Sequence, residues 1–369
     1  MNLIFITIDG ARLDRIINGN FYKKFIDKST FFSKTITYAP YTIAAMHAVF
    51  SGTYGNKSGV NSYWSTPDFK KNEYKTLVKY LHDAGYVTLG DSINKLILPK
   101  NGFDELTIHD ELSDNLTERH LSLLSKVNEL KNNGKNFFLY LHYSNIHTGI
   151  MQKVLKKYDN FSEEYFSNKI ENERFYDTLF ENADKYLEEI ITKCENIHLT
   201  DDTLIVVISD HGISIGEKMG ERAYGVFCYD YTLNATSVFY HNSLSKIHIK
   251  NQVRSIDILP TILDILKIPI DENYLKFDGQ SLIPILNGEN PPRIAFSQSG
   301  NPLNSGKPPK EPNVWAVRTD DWKFIFNVHD GTEELYNLQN DPNELNNLID
   351  IEPEISTKLR LKLNELESR

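Results

Sequence analysis

Residues 3–12 read LIFITIDGAR, and residues 203–212 read TLIVVISDHG. Each is an apolar run of strand length that stops at an acid and a glycine, the second with a histidine between them. Runs without polar alternation suit strands covered on both faces, as in a parallel sheet. In doubly wound sheets, ligands bind just outside the carboxyl ends of the strands. Asp9, Asp210 and His211 therefore stand where chemistry is expected. Taken singly, Asp9 reads equally well as a turn or helix-cap residue, because Gly10 follows it. SDHG alone reads as a polar corner with glycine supplying an unusual backbone angle.

Similar runs recur at YVTLG (86–90), NFFLYLH (136–142) and ATSVFY (235–240). Between them, YKTLVKYLHDAG and ERFYDTLFENADKYLEEIITK carry apolar residues at helical spacing. This alternation predicts an α/β domain with a largely parallel sheet over 1–290. After 290 the texture changes. SQSGNPLNSGKPPKEPN reads as a connection, VWAVRTDDWKFIFN as a hairpin turning at Asp320 and Asp321, and EELYNL with a helix near 352–367 completes a small α+β unit over 291–369. Residues 150–175, rich in Lys, Glu, Asn and Tyr, read as a solvated helical insertion or as a lid over the site.

With 369 residues and 40% hydrophobic content, the chain can bury a large core. A net charge of -10 argues against nucleic acid as a partner and requires a metal or local cations to meet any anionic ligand. Cys194 and Cys228 suggest neither a disulfide framework nor a thiolate metal site. No run approaches the ~18 to 20 apolar residues of a membrane span, and the first residues lack the pattern of a secretory signal. A soluble, cytoplasmic protein is expected.

Residues 38–54 read YAPYTIAAMHAVFSGTY. Pro40 fixes the approach, Thr42 can sit at the N-cap, and the following residues can form a short helix ending at Gly52. The small residues Ala44, Ala45 and Ala48 would let that helix lie close to the sheet. A hydroxyl at such a helix start meets exposed N–H groups that favour an anion. Alone, Thr42 reads as an ordinary cap.

Together these segments resemble the sulfatase branch of the alkaline phosphatase superfamily over nearly the whole chain. The resemblance rests on IDGAR, PYTIAAMHAVFSGTYGNKSG, SDHGISIGE, HYSNIHTG, YDTLFENAD, VRSIDILPTILDIL and FDGQSLIPIL, and on AVRTDDWKFI with EELYNLQNDPNELNNL at the end. It implies that Asp9, Thr42, Asp210 and His211 hold one divalent ion, with Thr42 also the nucleophile. Mn, Mg, Ca and Zn all suit such donors, and a second ion is left open. Sulfatases carry a Cys or Ser, oxidised to formylglycine, at the position of Thr42 and an Arg at that of Met46. Threonine cannot give the aldehyde hydrate that expels sulfate. The resemblance then turns toward phosphodiesterases and phosphoethanolamine or phosphoglycerol transferases with threonine nucleophiles. Asn145 stands where an Asp is usual, and His147 at a substrate-contacting histidine.

The expected function is that of a metal-dependent phosphoesterase or phosphotransferase, cleaving a phosphodiester through a phosphothreonine at Thr42. His147 is the candidate proton donor, and Lys218 and Arg222 are candidates for neutralising phosphoryl oxygens unless they are solvated loop residues. The partner would be a small phosphorylated molecule, for example one linked to a carbohydrate. The alternatives are a sulfate ester hydrolase and a non-catalytic relative that binds a phosphorylated ligand.

Overall fold

The computed structural model describes residues 1–155, 163–303 and 307–368. Nine strands form one sheet among them: β1 (Asn2–Ile8), β2 (Thr30–Ile36), β3 (Val87–Ser92), β4 (Glu105–Ile108), β5 (Phe137–Tyr143), β6 (Thr203–Ile208), β7 (Asn234–Tyr240), β8 (Ile247–Ile249) and β9 (Val253–Arg254). The order is β4-β3-β5-β1-β6-β7-β2-β8, with β9 also on β2. From β4 to β6 every pairing is parallel. β7 runs antiparallel to both β6 and β2. The fold is thus α/β with a largely parallel central sheet, as the apolar runs predict.

β1 shows why the runs have no polar face. Ile4, Ile6 and Ile8 pack on one side with Tyr176, Tyr186 and Ile190 of the long helix Lys169–Asn196. Leu3 and Phe5 pack on the other with Met46, Val49 and Phe50 of the helix Thr42–Ser51. Side chains alternate across a strand, so a strand between two helical layers needs apolar residues at every position. β2, read TFFSKTI, lacks that signature and is not among the runs picked out above. It lies toward the antiparallel end, where its pairing with β7 shifts register between Phe32 and Thr35.

A second, antiparallel sheet joins β10 (Ala295–Ser299), β11 (Val314–Arg318), β12 (Trp322–Asn327) and β13 (Thr332–Asn337) in that order, followed by the helix Pro353–Glu367. The hairpin turns between Arg318 and Trp322 as expected. Ser297, Gln298 and Ser299, assigned above to a connection, instead belong to β10, where each pairs with β11.

Two packing expectations are corrected. Ala44 and Ala48 do not face the central sheet. They lie in a cluster with Tyr38, Tyr54, Phe296, Val317, Phe324 and Leu363, so the small residues admit the C-terminal sheet and helix. The segment 150–175 is helical with an exposed face where it is described, but it is not solvated throughout. Val154 and Tyr165 are buried in the main core, and the Tyr165 hydroxyl donates to the Ser214 carbonyl. Residues 156–162, part of the stretch offered above as a lid, lie outside the described residues.

Candidate metal centre at the strand ends

Strands β5, β1 and β6 are neighbours, and their registers align Thr7 with both His142 and Ile208. The residues that follow β1 and β6 must therefore emerge side by side. Asp9 and Asp210 do so, joined by a hydrogen bond from the Gly10 N–H to Asp210 Oδ1 of 3.1 Å. Gly10 has φ +76, and a Cβ there would stand 3.0 Å from the Ile213 side chain. Only glycine makes that turn without strain. Tyr176 braces the same loop, accepting from the Arg12 N–H and donating to the Gly10 carbonyl, both at 2.8 Å. The Arg12 guanidinium ties it to the second loop through the Ile213 carbonyl and Glu217.

Thr42 reaches the same point from the opposite layer. It is the first residue of its helix; Tyr41, in an extended conformation, is the cap, with no side-chain cap bond. The N-cap expectation is thus off by one residue. The Thr42 hydroxyl caps nothing and instead donates to Asp9 Oδ2 at 3.2 Å, with His211 Nε2 at 3.4 Å. The helix ends as expected at Gly52, whose φ of 64 is left-handed.

The His211 Nδ1–H donates to the Gly212 carbonyl at 2.8 Å, which leaves Nε2 as a lone pair. That lone pair is 3.6 Å from Asp9 Oδ1 and 3.5 Å from Asp210 Oδ2. Both carboxylate oxygens are buried and have no hydrogen-bond partner. With the imidazole neutral, three lone-pair atoms thus face one another, and neither carboxylate oxygen has a donor. Such an arrangement is costly unless a cation sits among them. The donor set fits a divalent ion of the hard or borderline class, with the Thr42 hydroxyl as a further oxygen ligand.

Burial acts to raise the Asp9 pKa, but the His147, His142 and His211 imidazoles more than reverse it and hold the carboxyl below the ordinary range. Asp210 is shifted upward by burial and by the Asp9 charge, against smaller opposing contributions from His211, His142 and the Gly10 N–H. A bound cation would remove that conflict.

His142 is a site residue that the sequence reading does not single out. Its Nε2 lies 3.1 Å from Asp9 Oδ2 and its Nδ1 2.9 Å from the Tyr140 hydroxyl, so it orients the carboxylate. Its signal was its place near the end of NFFLYLHY, where a polar residue interrupts a strand buried on both faces. His147, from the short helix Asn145–Ile150, brings Nδ1 to 3.8 Å from Asp9 Oδ1 and is 18% exposed on its side chain. Asn145 begins that helix and is half-buried.

Lys218 is directed elsewhere. Its ammonium donates to the Glu344 carbonyl and lies over the rings of Tyr229 and Tyr336, at the C-terminal sheet. This departs from its expected role, because the ammonium is already engaged by that carbonyl and the two rings. Arg222 is half-buried, and its N–H donates to Glu221. Met46, at the family's arginine position, is wholly buried in the core with the Thr7 hydroxyl on its sulfur at 3.9 Å.

A second group of the kind that could hold an ion occurs as Asp91, His109 and His120. Asp91 Oδ2 receives both imidazoles at 2.8 and 3.1 Å, and Oδ1 receives Thr107 and Arg119 at 2.6 and 2.8 Å. The remaining ring nitrogens meet Ser144 at 2.9 Å and Tyr186 at 2.6 Å. Every polar atom is already partnered, so this group does not fit a second ion.

A family model described as Sulfatase matches residues 2–268, and one described as N-sulphoglucosamine sulphohydrolase, C-terminal, matches residues 227–369. Arylsulfatase K of Canis lupus familiaris is 28% identical over 222 residues, covering 56% of this chain and 39% of the relative. Choline-sulfatase of Rhizobium meliloti (strain 1021) is 27% identical over 168 residues, 45% of this chain and 30% of the relative. The chain thus spans well under half the length of these curated relatives. Among solved structures, a 2-O GAG sulfatase superposes with a TM-score of 0.80 at 17% identity, covering 100% of this chain and 92% of that one. A phosphonate monoester hydrolase from Silicibacter pomeroyi gives 0.73 at 17% identity, covering 100% and 95%. These last two likenesses concern the fold. With a sulfatase model matched from residue 2 to residue 268, the chain belongs to the sulfatase family, within the alkaline phosphatase-like superfamily.

Proposed function

We propose that the chain is a metal-dependent hydrolase of sulfate esters acting at the Thr42 centre. The observation that carries the catalytic part is the convergence of Asp9 Oδ1, Asp210 Oδ2 and His211 Nε2 beside the Thr42 hydroxyl. Family membership, and relatives named as arylsulfatase K and choline-sulfatase, support sulfate as the substrate class. The order of preference read from Thr42 alone, phosphodiester before sulfate, is thereby reversed.

Asp9, Asp210, His211 and Thr42 would hold the ion, which when bound polarises the ester and favours the ionised form of a neighbouring hydroxyl. Thr42 is oriented by its hydrogen bond to Asp9, and His142 holds that carboxylate from the other side. In the first step the Thr42 oxygen attacks the central atom of the ester and gives its proton to Asp9 Oδ2, the oxygen its hydroxyl already donates to. The bond to the departing alcohol breaks, with His147 supplying the alcohol's proton. Because threonine forms no aldehyde hydrate, water must attack the central atom in the second step and restore the hydroxyl.

The same two steps serve a phosphate ester, and one observation favours that second reading: the nucleophile position holds a plain hydroxyl. A panel of p-nitrophenyl sulfate, p-nitrophenyl phosphate and bis-p-nitrophenyl phosphate, run with Mn, Mg, Ca and Zn, separates the two. Dominant sulfate release supports the proposal, and dominant phosphate or diester cleavage replaces it with the second reading. Stoichiometric metal with no turnover across the panel would leave a binding protein. Thr42→Ala should lose turnover while keeping its melting temperature; retained turnover would mean that water attacks directly.

A further inference from the structure

We propose that Tyr224 is a further catalytic residue of this centre, its phenol hydroxyl donating a hydrogen bond to a non-bridging oxygen of the sulfate or phosphate group. The inference rests on the hydrolase reading above and names a donor that the family resemblance did not supply. The ring of Tyr224 stacks on His211 at 5.0 Å between centroids and 29° between planes, and packs against His147 at 5.6 Å. Its hydroxyl lies 3.3 Å from His147 Nδ1. The phenol thus sits over the ion-binding cluster on its His147 side, where the more accessible of the two imidazoles stands.

A tetrahedral oxyanion gains charge on its oxygens as the ester bond changes, and it needs donors fixed in advance. Two carboxylates already crowd the site, and the Lys218 ammonium is held at the C-terminal sheet. A phenol keeps its proton at neutral pH and donates without adding a second charge. At 3.3 Å, its contact with His147 is at the long end for a hydroxyl donor and is readily exchanged for an anionic oxygen.

The backbone supports a built position. Tyr224 lies between Ala223 at φ 65 and Gly225 at φ 84, and the Ala223 carbonyl accepts from the Ser214 N–H. A left-handed alanine is strained by its Cβ, and such strain concentrates at functional sites. A Cβ on Gly225 would stand 2.5 Å from the Tyr63 hydroxyl, so glycine there lets a second tyrosine close against the Tyr224 segment.

The test compares metal-loaded full-length protein with its Tyr224→Phe and Tyr224→Ala variants. Measurements are metal content, melting temperature, kcat/KM on the p-nitrophenyl esters, and calorimetric titration with inorganic sulfate and, separately, inorganic phosphate. Tyr224→Phe keeps the ring, so metal content and melting temperature should stay unchanged while kcat/KM falls on the order of 10²–10³-fold, as for loss of one oxyanion donor. Affinity for whichever oxyanion the wild type binds should fall with it. Wild-type kcat/KM in the Phe variant overturns the proposal, and so does loss of metal in that variant. Should the wild type turn over no ester, the hydrolase reading fails by itself. The titrations then decide Tyr224: weaker binding in the Phe variant sustains the contact, while equal binding, or none in the wild type, removes it.

Discussion

Two groups of the same chemical type lie beside each other in this molecule. Asp9, Asp210 and His211 form one; Asp91, His109 and His120 form the other. The groups are within reach of each other, since the His109 ring is 6.4 Å from that of His142, which braces Asp9. All six side chains are buried. Composition and burial therefore cannot tell them apart. What differs is the destination of the lone pairs. In the second group each carboxylate oxygen takes two donors and each imidazole is bonded at both nitrogens. In the first, two carboxylate oxygens and one imidazole nitrogen face each other with nothing to share. A ligand site is recognised by what its neighbours fail to satisfy.

The comparison can be broken by mutation. Asp91→Ala leaves two imidazoles, Thr107 and Arg119 without their acceptor. It should destabilise by about 3–5 kcal/mol, as when one partner of a buried ion pair is removed, with metal content unchanged in whatever folds. Denaturant unfolding together with elemental analysis checks both halves. Bound metal in wild type that disappears from Asp91→Ala would make the second group a metal site after all.

The first group should respond to metal itself. With free ion at about 100 times its dissociation constant, the folded state gains about 2.7 kcal/mol, seen as a higher melting temperature than in chelator. Asp210→Asn should abolish most of that gain. In chelator the same variant should be no less stable than wild type, because it removes the carboxylate that repels Asp9. A large loss of stability in chelator would show that Asp210 is satisfied without an ion.

Ser144→Ala tests the margin of the second group. His109 Nε2 would lose its donor at a cost of about 1–3 kcal/mol, again without effect on metal content. Ser144 also starts the turn that carries Asn145 and His147. A fall in turnover larger than the fall in stability would show that Asp91 and His109 position that helix.

A further buried carboxylate sharpens the contrast through pH. Glu221 accepts the N–H groups of Arg222, Val226 and Phe227 and the Tyr231 hydroxyl. Burial outweighs these neutral donors and pushes its pKa up to about 7. Asp91 is also opposed by burial, yet its imidazole partners and Thr107 hold it well below the ordinary range. The signs follow. Glu221 binds its proton more tightly folded than unfolded, so its contribution is present below about pH 4.5 and is lost as pH rises through about 7. Asp91 contributes stability above its unfolded value of 3.8 that is lost only as pH falls toward its lowered folded value. Stability measured from pH 4 to 8 in chelator should flatten in Glu221→Gln. An unchanged profile would mean that Glu221 stays ionised.

Much of this was legible in the chain. Strands without polar alternation marked the parallel sheet, and two of them led directly into Asp9 and into Asp210 and His211, because periodicity and burial are local consequences of side-chain type. Gly52 marked the helix end for the same reason. What escaped depended on which surfaces met. Ala44 and Ala48 turned to the C-terminal sheet, since small residues admit any close neighbour and do not name it. Lys218 follows the second metal motif, yet its loop carries it to Glu344, and four carbons of flexible stem leave no trace of direction in sequence. His142 and Tyr224 enter the site through strand register and a left-handed turn. Sequence by itself thus determined the family, the layers and the donor types. Only the tertiary structure decided which Asp–His cluster was left with unshared lone pairs, because hydrogen-bond satisfaction belongs to pairs of atoms brought together from distant segments.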